Sequence, residues 1–309
     1  MLIGVPQSAV TGLSNGLDQG TIIQNIAELT NKGIEFSANY SGKIGKISYN
    51  VGTNVTTIDN KVIEVGPGGK ILSFPFKNQF QTRTEEGREL GEFYGWVADG
   101  IFQSQSEVTS HAFQSSGTAA GDIRFKDLNG DNVIDESDKT FTGSPIPDFV
   151  YGFNLNLEYN NFDFSVQANG SQGNEILNLS TLDLIDNTRS ENKMNFTPWS
   201  SSNTDSKWPR AHSQDPNFNT RPSSYFVEDG SYLRIKVIQL GYTFTSDMLG
   251  LNMSGLRIYG SIQNPITITK YSGVDPEVGN ADGNNLISGI DHFVYPISRT
   301  FSVGINYSF

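Results

Sequence analysis

One loop of the sequence carries oxygen-bearing residues at the spacing of a calcium site. If Asp127 is position one of the segment 127–138, oxygen groups fall at positions one, three, five, seven, nine and twelve, and position eight is the apolar Ile134. Calcium is a hard cation that takes six to eight oxygens, so carboxylates at alternate positions of a tight loop suit it. The sequence therefore predicts a structural Ca²⁺ site. Its ligands are predicted to be Asp127, Asn129, Asp131, the carbonyl of Val133, Asp135 and Asp138.

Two departures from the usual calcium loop leave a second interpretation open. Position six is Asn132, where calcium loops have glycine, and position twelve is the short Asp138, where they have a bidentate glutamate. Asparagine adopts positive φ more readily than other non-glycine residues, so the first departure is tolerable. The alternative is an Asp/Asn/Gly turn whose side chains bond to their own backbone.

Conventional catalytic groups are sparse in this chain. It has no cysteine, and its three histidines, His111, His212 and His292, have no metal-ligand partner at motif spacing. Serine is abundant, but no G-x-S-x-G elbow is present. Acidic pairs such as Glu85-Glu86 are interpreted as solvated loop charge, because acid–base catalysis requires a defined separation and environment. We expect no enzymatic activity.

Composition restricts the partners and the class of fold. The 309 residues hold 21 Lys and Arg against 33 Asp and Glu, a net charge of −12, and the basic residues are scattered, which excludes nucleic acid as a partner. Hydrophobic residues make up 36%, below the roughly 45–50% of ordinary globular domains, while aromatics reach 11%. This balance favours many short strands with polar turns. No run of about 18 apolar residues is present, but the short, half-apolar strands of a membrane barrel remain compatible with the sequence.

The elements that position these residues are strands, because apolar and polar residues alternate with a period of two. The pattern is sharpest in the segment Phe301 to Phe309, and the run 231–245 changes phase at Val237-Ile238, which predicts a β-bulge. Helical periodicity is confined to one short stretch from Ile176 to Ile185, which is interpreted as one or two helical turns inside a connection or, alternatively, as loop residues that pack on each other. About nine strands are predicted, at 34–40, 46–57, 77–84, 90–102, 153–159, 162–170, 231–245, 255–264 and 299–309.

Short and long connections alternate along the chain. Only Asn160-Asn161 joins two of the strands, whereas 103–148, 172–230 and 265–298 are long. This alternation is typical of an outer-membrane barrel with short periplasmic turns and long extracellular loops. If Asn160-Asn161 is periplasmic, the last strand runs inward to a periplasmic C-terminus that ends in an aromatic residue.

Several ordered blocks of the sequence resemble one family, the SusC/RagA-type TonB-linked outer-membrane receptors, in their C-terminal half. The resemblance runs from about Asn31 to Phe309. It includes the calcium-like loop. The blocks that carry it are Gly91–Phe102, Gly121–Lys126, Gly143–Phe149, Gly230–Lys236, Gln263–Pro265, Thr269–Glu277 and Tyr295–Phe309.

The resemblance implies a receptor barrel of roughly 22 strands from Bacteroidota. Such a receptor is paired with a SusD-like surface lipoprotein and imports oligosaccharides, in glycan uptake, or peptides, with energy from the TonB complex. By this resemblance the chain lacks the signal peptide, the TonB-binding segment, the N-terminal plug and the earlier strands, and TonB contacts the absent N-terminal part. The outside of the barrel would meet outer-membrane lipid.

The predicted organisation follows from these points. Residues 1–32 are a loop and lead-in, and 33–309 are the C-terminal part of the transmembrane antiparallel β-barrel, an open curved sheet with long extracellular loops. The calcium-like loop 127–138 lies within loop 103–148. Trp199, Trp208 and Tyr225 of loop 172–230 are candidate substrate-binding residues that stack on sugar rings or contact the lipoprotein, and the alternative is packing within the loop.

A rival hypothesis from another class also fits the sequence. It is a secreted, calcium-stabilised β-sandwich that binds carbohydrate. A sandwich spaces its turns more evenly than this chain does.

Overall fold

The computed structural model describes residues 2–5, 22–25, 27–66, 68–76, 79–185, 197–249, 255–279 and 284–308. In this described part strands are the main secondary structure and helices are few. Three short helices are α1 (Gln105–Ser110), α2 (Leu179–Ile185) and α3 (Ser246–Leu249). The strands are β1 (Leu2–Val5), β2 (Ile22–Asn25), β3 (Ala27–Lys32), β4 (Glu35–Ile44), β5 (Ile47–Thr57), β6 (Asp59–Val65), β7 (Lys70–Phe76), β8 (Gln79–Glu85), β9 (Glu92–Trp96), β10 (Ala98–Ile101), β11 (Ile123–Phe125), β12 (Lys139–Gly143), β13 (Phe149–Tyr159), β14 (Phe162–Gln172), β15 (Glu175–Asn178), β16 (Val227–Asp229), β17 (Tyr232–Phe244), β18 (Gly255–Thr269), β19 (Ile290–Asp291) and β20 (Thr300–Ser308).

Seven strands form one antiparallel sheet in the order β4-β5-β13-β14-β17-β18-β20. Each strand pairs with its nearest chain neighbours in this set, so spatial order and chain order agree. The end strands β4 and β20 have a partner within this sheet on one side only. The predicted all-β fold with an open antiparallel sheet is therefore confirmed.

The sheet has one apolar face and one polar face. Because side chains alternate across a pleated strand, the register decides which residues share a face. One row of directly paired apolar residues crosses all seven strands: Ile44, Ile47, Tyr159, Phe162, Tyr242, Ile258 and Ile305. The neighbouring row on the other face is mostly polar: Lys43, Ser48, Glu158, Asp163, Gly241, Tyr259 and Gly304.

The apolar face of the sheet is uncovered. Val303 is 83% exposed, and Phe36, Tyr40, Leu240 and Ile305 are exposed as well. A continuous apolar surface of this extent is unstable in water and marks contact with lipid or with another apolar surface.

A β-bulge in β17 keeps this face apolar. Ile235 pairs with Ala168 and Val237 pairs with Gln167, so Lys236 is an extra residue that has no partner in β14. The extra residue shifts the apolar positions from odd to even numbers without moving them to the other face. The predicted phase change at Val237-Ile238 is thus confirmed.

The links between the seven strands differ strongly in length at the two ends of the sheet. The links at 45–46, 160–161 and 245–254 are short and share one end, and the connections 58–148, 173–231 and 270–299 share the other. The two-residue links depend on positive φ, at Gly45 (59°) and Asn160 (51°). The predicted alternation of short and long connections is therefore present.

The first long connection begins much earlier than predicted. The strands expected at 77–84 and 90–102 lie outside the seven-stranded sheet. They contribute to a four-stranded sheet, β12-β9-β8-β7, and to the β10-β11 pair. Alternation shows that a segment is pleated, but it does not identify the strand with which that segment pairs, so the pattern of these two segments does not separate them from the strands of the main sheet. The connection therefore runs from 58 rather than from 103.

The hydrophobic core lies in the long connections rather than on the sheet. The largest cluster includes Phe93, Leu179, Leu182, Phe226 and Ile290. It confirms that the periodic stretch from Ile176 to Ile185 contains a short helix, α2, which follows β15 and buries its apolar side. Among the residues that the structure describes, no helix is both long enough and apolar enough to cross a bilayer.

Candidate functional site

The predicted calcium loop is a compact turn closed by its own hydrogen bonds. Asp127 accepts from the backbone N–H of Gly130 at 2.7 Å and of Asn132 at 2.8 Å. Asn129 Oδ1 accepts from the N–H of Asp131 at 2.9 Å. Asn132 has φ 65°, the conformation that glycine supplies in other loops. The arrangement is the one expected of an Asp/Asn/Gly turn.

Asp138 closes this loop from inside. Its side chain is fully buried, and it accepts from the backbone N–H of Leu128 at 2.7 Å and of Asp135 at 2.8 Å. Within the described ranges, no three His, Cys, Asp or Glu side chains form a group that could hold a metal ion. Each carboxylate oxygen has a second lone pair, so the donor set still fits calcium in type. The calcium site stays a prediction.

Two of the three candidate aromatic residues are engaged in packing between loops. The indole N–H of Trp199 donates to Gln103 Oε1 at 3.0 Å, and its ring lies against Gly121, where a Cβ has no room. The hydroxyl of Tyr225 donates to the carbonyl of Lys207 at 2.5 Å, and burial raises its pKa. Both contacts are those expected of packing within the loop region.

Trp208, the third candidate, lines an open cleft of about 520 Å³ at the loop end of the sheet. We call this the aromatic cleft. Its walls come from the start of α2, from Lys207-Trp208, and from two parts of the connection 270–299. Its apolar rim is strongly exposed: Val274 by 72%, Phe293 by 58% and Tyr295 by 88%.

The sequence prediction missed the rim residues of the aromatic cleft. Phe293 and Tyr295 belong to the run Phe293-Val294-Tyr295-Pro296, which lies in a connection predicted to be a loop. An apolar run in an otherwise polar connection was the available signal, because exposed large apolar groups in loops are often functional.

One wall of the aromatic cleft is formed by residues 272–274 of the segment 271–277, which we call the strap. The hydroxyl of Tyr271 donates to Asp291 Oδ2 at 2.6 Å, and both residues are buried. The backbone N–H and the hydroxyl of Ser272 both donate to Glu228, at 2.8 Å. These bonds attach the start of the strap to a later part of its own connection and to the connection 173–231.

A buried ion-pair network attaches the end of the strap to the polar face of the sheet. Arg234 of β17 is only 2% exposed, and its guanidinium donates to Asp275 Oδ1 at 2.6 Å and to Glu277 Oε2 at 2.7 Å. Lys236, the bulge residue, donates to Glu277 at 2.8 Å, as does the hydroxyl of Tyr232. The bulge therefore provides a second cation for the strap.

The protonation state of the strap carboxylates follows from this network. Burial alone raises the pKa of Asp275, but the hydrogen bonds from Arg234 and from two backbone N–H groups outweigh it, and the pKa is lowered. Burial likewise opposes ionisation of Glu277, and bonds from Lys236 and Tyr232 lower its pKa. Both groups are therefore held as carboxylates.

A second buried network joins the first and second long connections. Asp122 is fully buried and accepts from Arg210 at 2.8 and 3.0 Å, from Asn219 Nδ2 at 3.0 Å and from the N–H of Ala119 at 2.9 Å. These bonds connect the first two long connections at the loop end of the sheet.

Comparison with known proteins finds relatives that are all TonB-dependent receptors. No family model matches the chain. It is 34% identical over 297 residues to the TonB-dependent receptor P3 of Formosa agariphila, covering 93% of this chain and 29% of that protein. It is 27% identical over 297 residues to the TonB-dependent receptor SusC of Bacteroides thetaiotaomicron, covering 93% of this chain and 27% of that protein.

Among solved structures, the RagAB peptide transporter matches the whole chain. The TM-score is 0.77 at 21% identity, and 32% of that structure's chain is covered, so the likeness shows the fold. The chain spans roughly 30% of the length of the curated relatives that it matches.

Proposed function

We infer, from the homology of this chain to TonB-dependent receptors that include SusC, that it is the C-terminal part of the barrel of a SusC/RagA-type outer-membrane importer. The observation that carries this proposal is the uncovered apolar face, which is continuous across all seven strands of the sheet. A bilayer is the surrounding that makes such a face stable. A β-sandwich, the rival hypothesis, would place a second sheet against it.

The dimensions of the sheet support a membrane position. Its strands have 9 to 15 residues, and a tilted strand needs about 9–11 residues to cross the hydrocarbon layer. The short links then lie in the periplasm and the three long connections outside the cell, with the C-terminus periplasmic. The edges of β4 and β20 pair with other strands of the complete barrel, because an open sheet edge is not tolerated in lipid.

The long connections are proposed to form part of an extracellular vestibule above the polar face. Substrates would be oligosaccharides or peptides, delivered with a SusD-like lipoprotein and imported with energy from the TonB complex. One of the solved structures that this chain resembles is a peptide transporter, which supports the peptide class. We assign no chemical reaction to this chain.

Deletion of the gene for this protein is expected to abolish uptake of one substrate pool. Source cells would be given labelled mixtures of short peptides and of oligosaccharides, and uptake would be compared among wild-type, deletion and TonB-depleted cells. We expect the same pool to be lost in both altered strains, because import depends on the receptor and on TonB together. Unchanged uptake of both pools in the deletion strain would contradict the proposal.

We also propose that loop 127–138 binds Ca²⁺ as a structural ion. The ligand types are all oxygens, as calcium prefers, and Asn132 has the φ that position six needs. Calcium that binds the folded state is expected to raise the unfolding temperature of the intact protein in detergent, and Asp131→Asn to lessen the rise. Asp131 is exposed, so its loss does not disturb the core.

The control for this experiment is Asp205→Asn, which makes the same charge change at an exposed position outside the loop. It should keep the full response to calcium. An unfolding temperature that is identical in calcium and in chelator would leave the self-bonded turn as the correct interpretation.

A further inference from the structure

The walls of the aromatic cleft leave few polar groups for a ligand. Ser180 donates to Asp291, at 3.2 Å, and accepts from the backbone. Asn178 and Ser272 both donate to Glu228. A ligand hydroxyl that enters loses its hydrogen bonds to water and finds most of the polar side chains, Thr181 and Lys207 excepted, already paired, which costs free energy for every hydroxyl left without a partner. An apolar group loses nothing of this kind, so the cleft favours an apolar ligand over a polyhydroxylated sugar.

The apolar rim gives the ligand broad contact surfaces. Trp208, Phe293, Tyr295 and Val274 surround the opening, and a cleft of about 520 Å³ falls in the range of pockets for small ligands. Aromatic side chains contribute large contact areas and prefer stacked or edge-to-face partners. The cleft has room for one or two residues of a peptide.

A positively charged side chain, that of Lys207, lies at the opening of the aromatic cleft. Lys207 is the one basic residue among the described residues that line the cleft, and its Nζ lies 4.9 Å from the centre of the Trp208 ring. It forms no ion pair with any residue in the described ranges. In a chain with a net charge of −12, a lysine beside an apolar opening provides a local site for a negative group.

We propose that the aromatic cleft binds the carboxyl-terminal residue of a peptide, with the apolar side chain between Trp208, Phe293 and Tyr295 and the terminal carboxylate at Lys207. An apolar side chain beside a single carboxylate is the group that such a residue presents, and it complements both the rim and the cation. This inference rests on the proposed function, because it selects one end of a peptide as the part of the imported substrate that this chain recognises.

The test is equilibrium binding to the intact protein in detergent, measured by calorimetry. The probes are N-acetyl-alanyl-phenylalanine as the free acid and the same dipeptide as its amide. We expect the acid to bind about tenfold more tightly than the amide. Lys207→Gln should remove this difference and leave the amide unaffected, whereas Tyr295→Ser should weaken both probes.

Lys270→Gln is the matched control, because Lys270 is 87% exposed and, although it begins the connection 270–299, it does not line the cleft. It should keep the preference for the acid. The proposal would be overturned if the acid and the amide bound equally, or if Lys207→Gln kept the preference for the acid. It would also be overturned if a glucuronate disaccharide bound as tightly as the acid, or if neither probe showed saturable binding. The measurement needs neither TonB nor transport, so its failure is distinguishable from failure of the import test.

Discussion

Replacing Arg234 with methionine is expected to destabilise the attachment of the strap by about 3–5 kcal/mol. Methionine keeps much of the buried volume but removes the guanidinium's hydrogen bonds to Asp275 and Glu277. The Asp275 carboxylate, which is only 6% exposed, then remains buried and charged without the guanidinium that neutralised it. Removing one partner of a buried ion pair is costly for this reason, whereas the pair itself contributes little net stability.

Chymotrypsin provides a local measurement of this change. Tyr271 is 6% exposed and is protected while the strap is in place. If the cleavage rate follows the population of molecules whose strap is open, a destabilisation of the strap by about 3 kcal/mol makes cleavage at Tyr271 about a hundredfold faster. The triple variant R234M/D275N/E277Q should recover much of the protection, because it removes the buried charges together with their partner.

Arg257→Met is the matched control for Arg234→Met. Arg257 also projects from the polar face and pairs with Asp163 at 2.5 Å, but the two side chains are 24% and 32% exposed. Partly exposed pairs contribute roughly 0–1 kcal/mol. Equal protection of Tyr271 in the wild type and in Arg234→Met would show that the network does not hold the strap.

Replacing Val303 with arginine is expected to prevent normal assembly into the membrane. Val303 is 83% exposed on the apolar face, near the middle of β20. An arginine at the bilayer midplane of a barrel costs roughly 2–4 kcal/mol. The measurement is the amount of protein in the outer-membrane fraction, together with urea unfolding in lipid vesicles.

Ser302→Arg is the control, one residue earlier on the polar face. It adds the same side chain to the same strand, and Ser302 pairs with Ser261 rather than with an apolar residue. We expect near-normal assembly. Equal loss in both variants, or a greater loss in Ser302→Arg, would show that the apolar face does not contact lipid.

The sequence predicted the pleated parts of the fold well, because the period of the side chains is a local property. Phe301 to Tyr307, the bulge beside Val237 and the turn at Asn160 all follow from neighbouring residues. The C-terminal Phe309, which supported the barrel prediction, lies outside the described residues.

Local sequence pattern did not identify contacts between residues that are far apart in the chain. Residues 79–85 alternate as the strands of the main sheet do, yet they pair with Lys70–Phe76 and with β9. Arg234 gave no signal of its own, because Asp275 and Glu277 follow it by more than 40 residues and meet it only after β18 has turned back. The aromatic cleft likewise joins residues that are far apart in the sequence, from two separate connections.

The placement of all short links at one end of the sheet has a consequence for how such chains diverge. Each two-residue hairpin fixes the register of its strands, so a change of length there would displace the side chains of a whole strand. The connections at the other end tolerate insertions, because closing a longer loop adds only a logarithmic entropy cost. The sequences and lengths of the long connections can therefore change during evolution while the strands and their register stay the same.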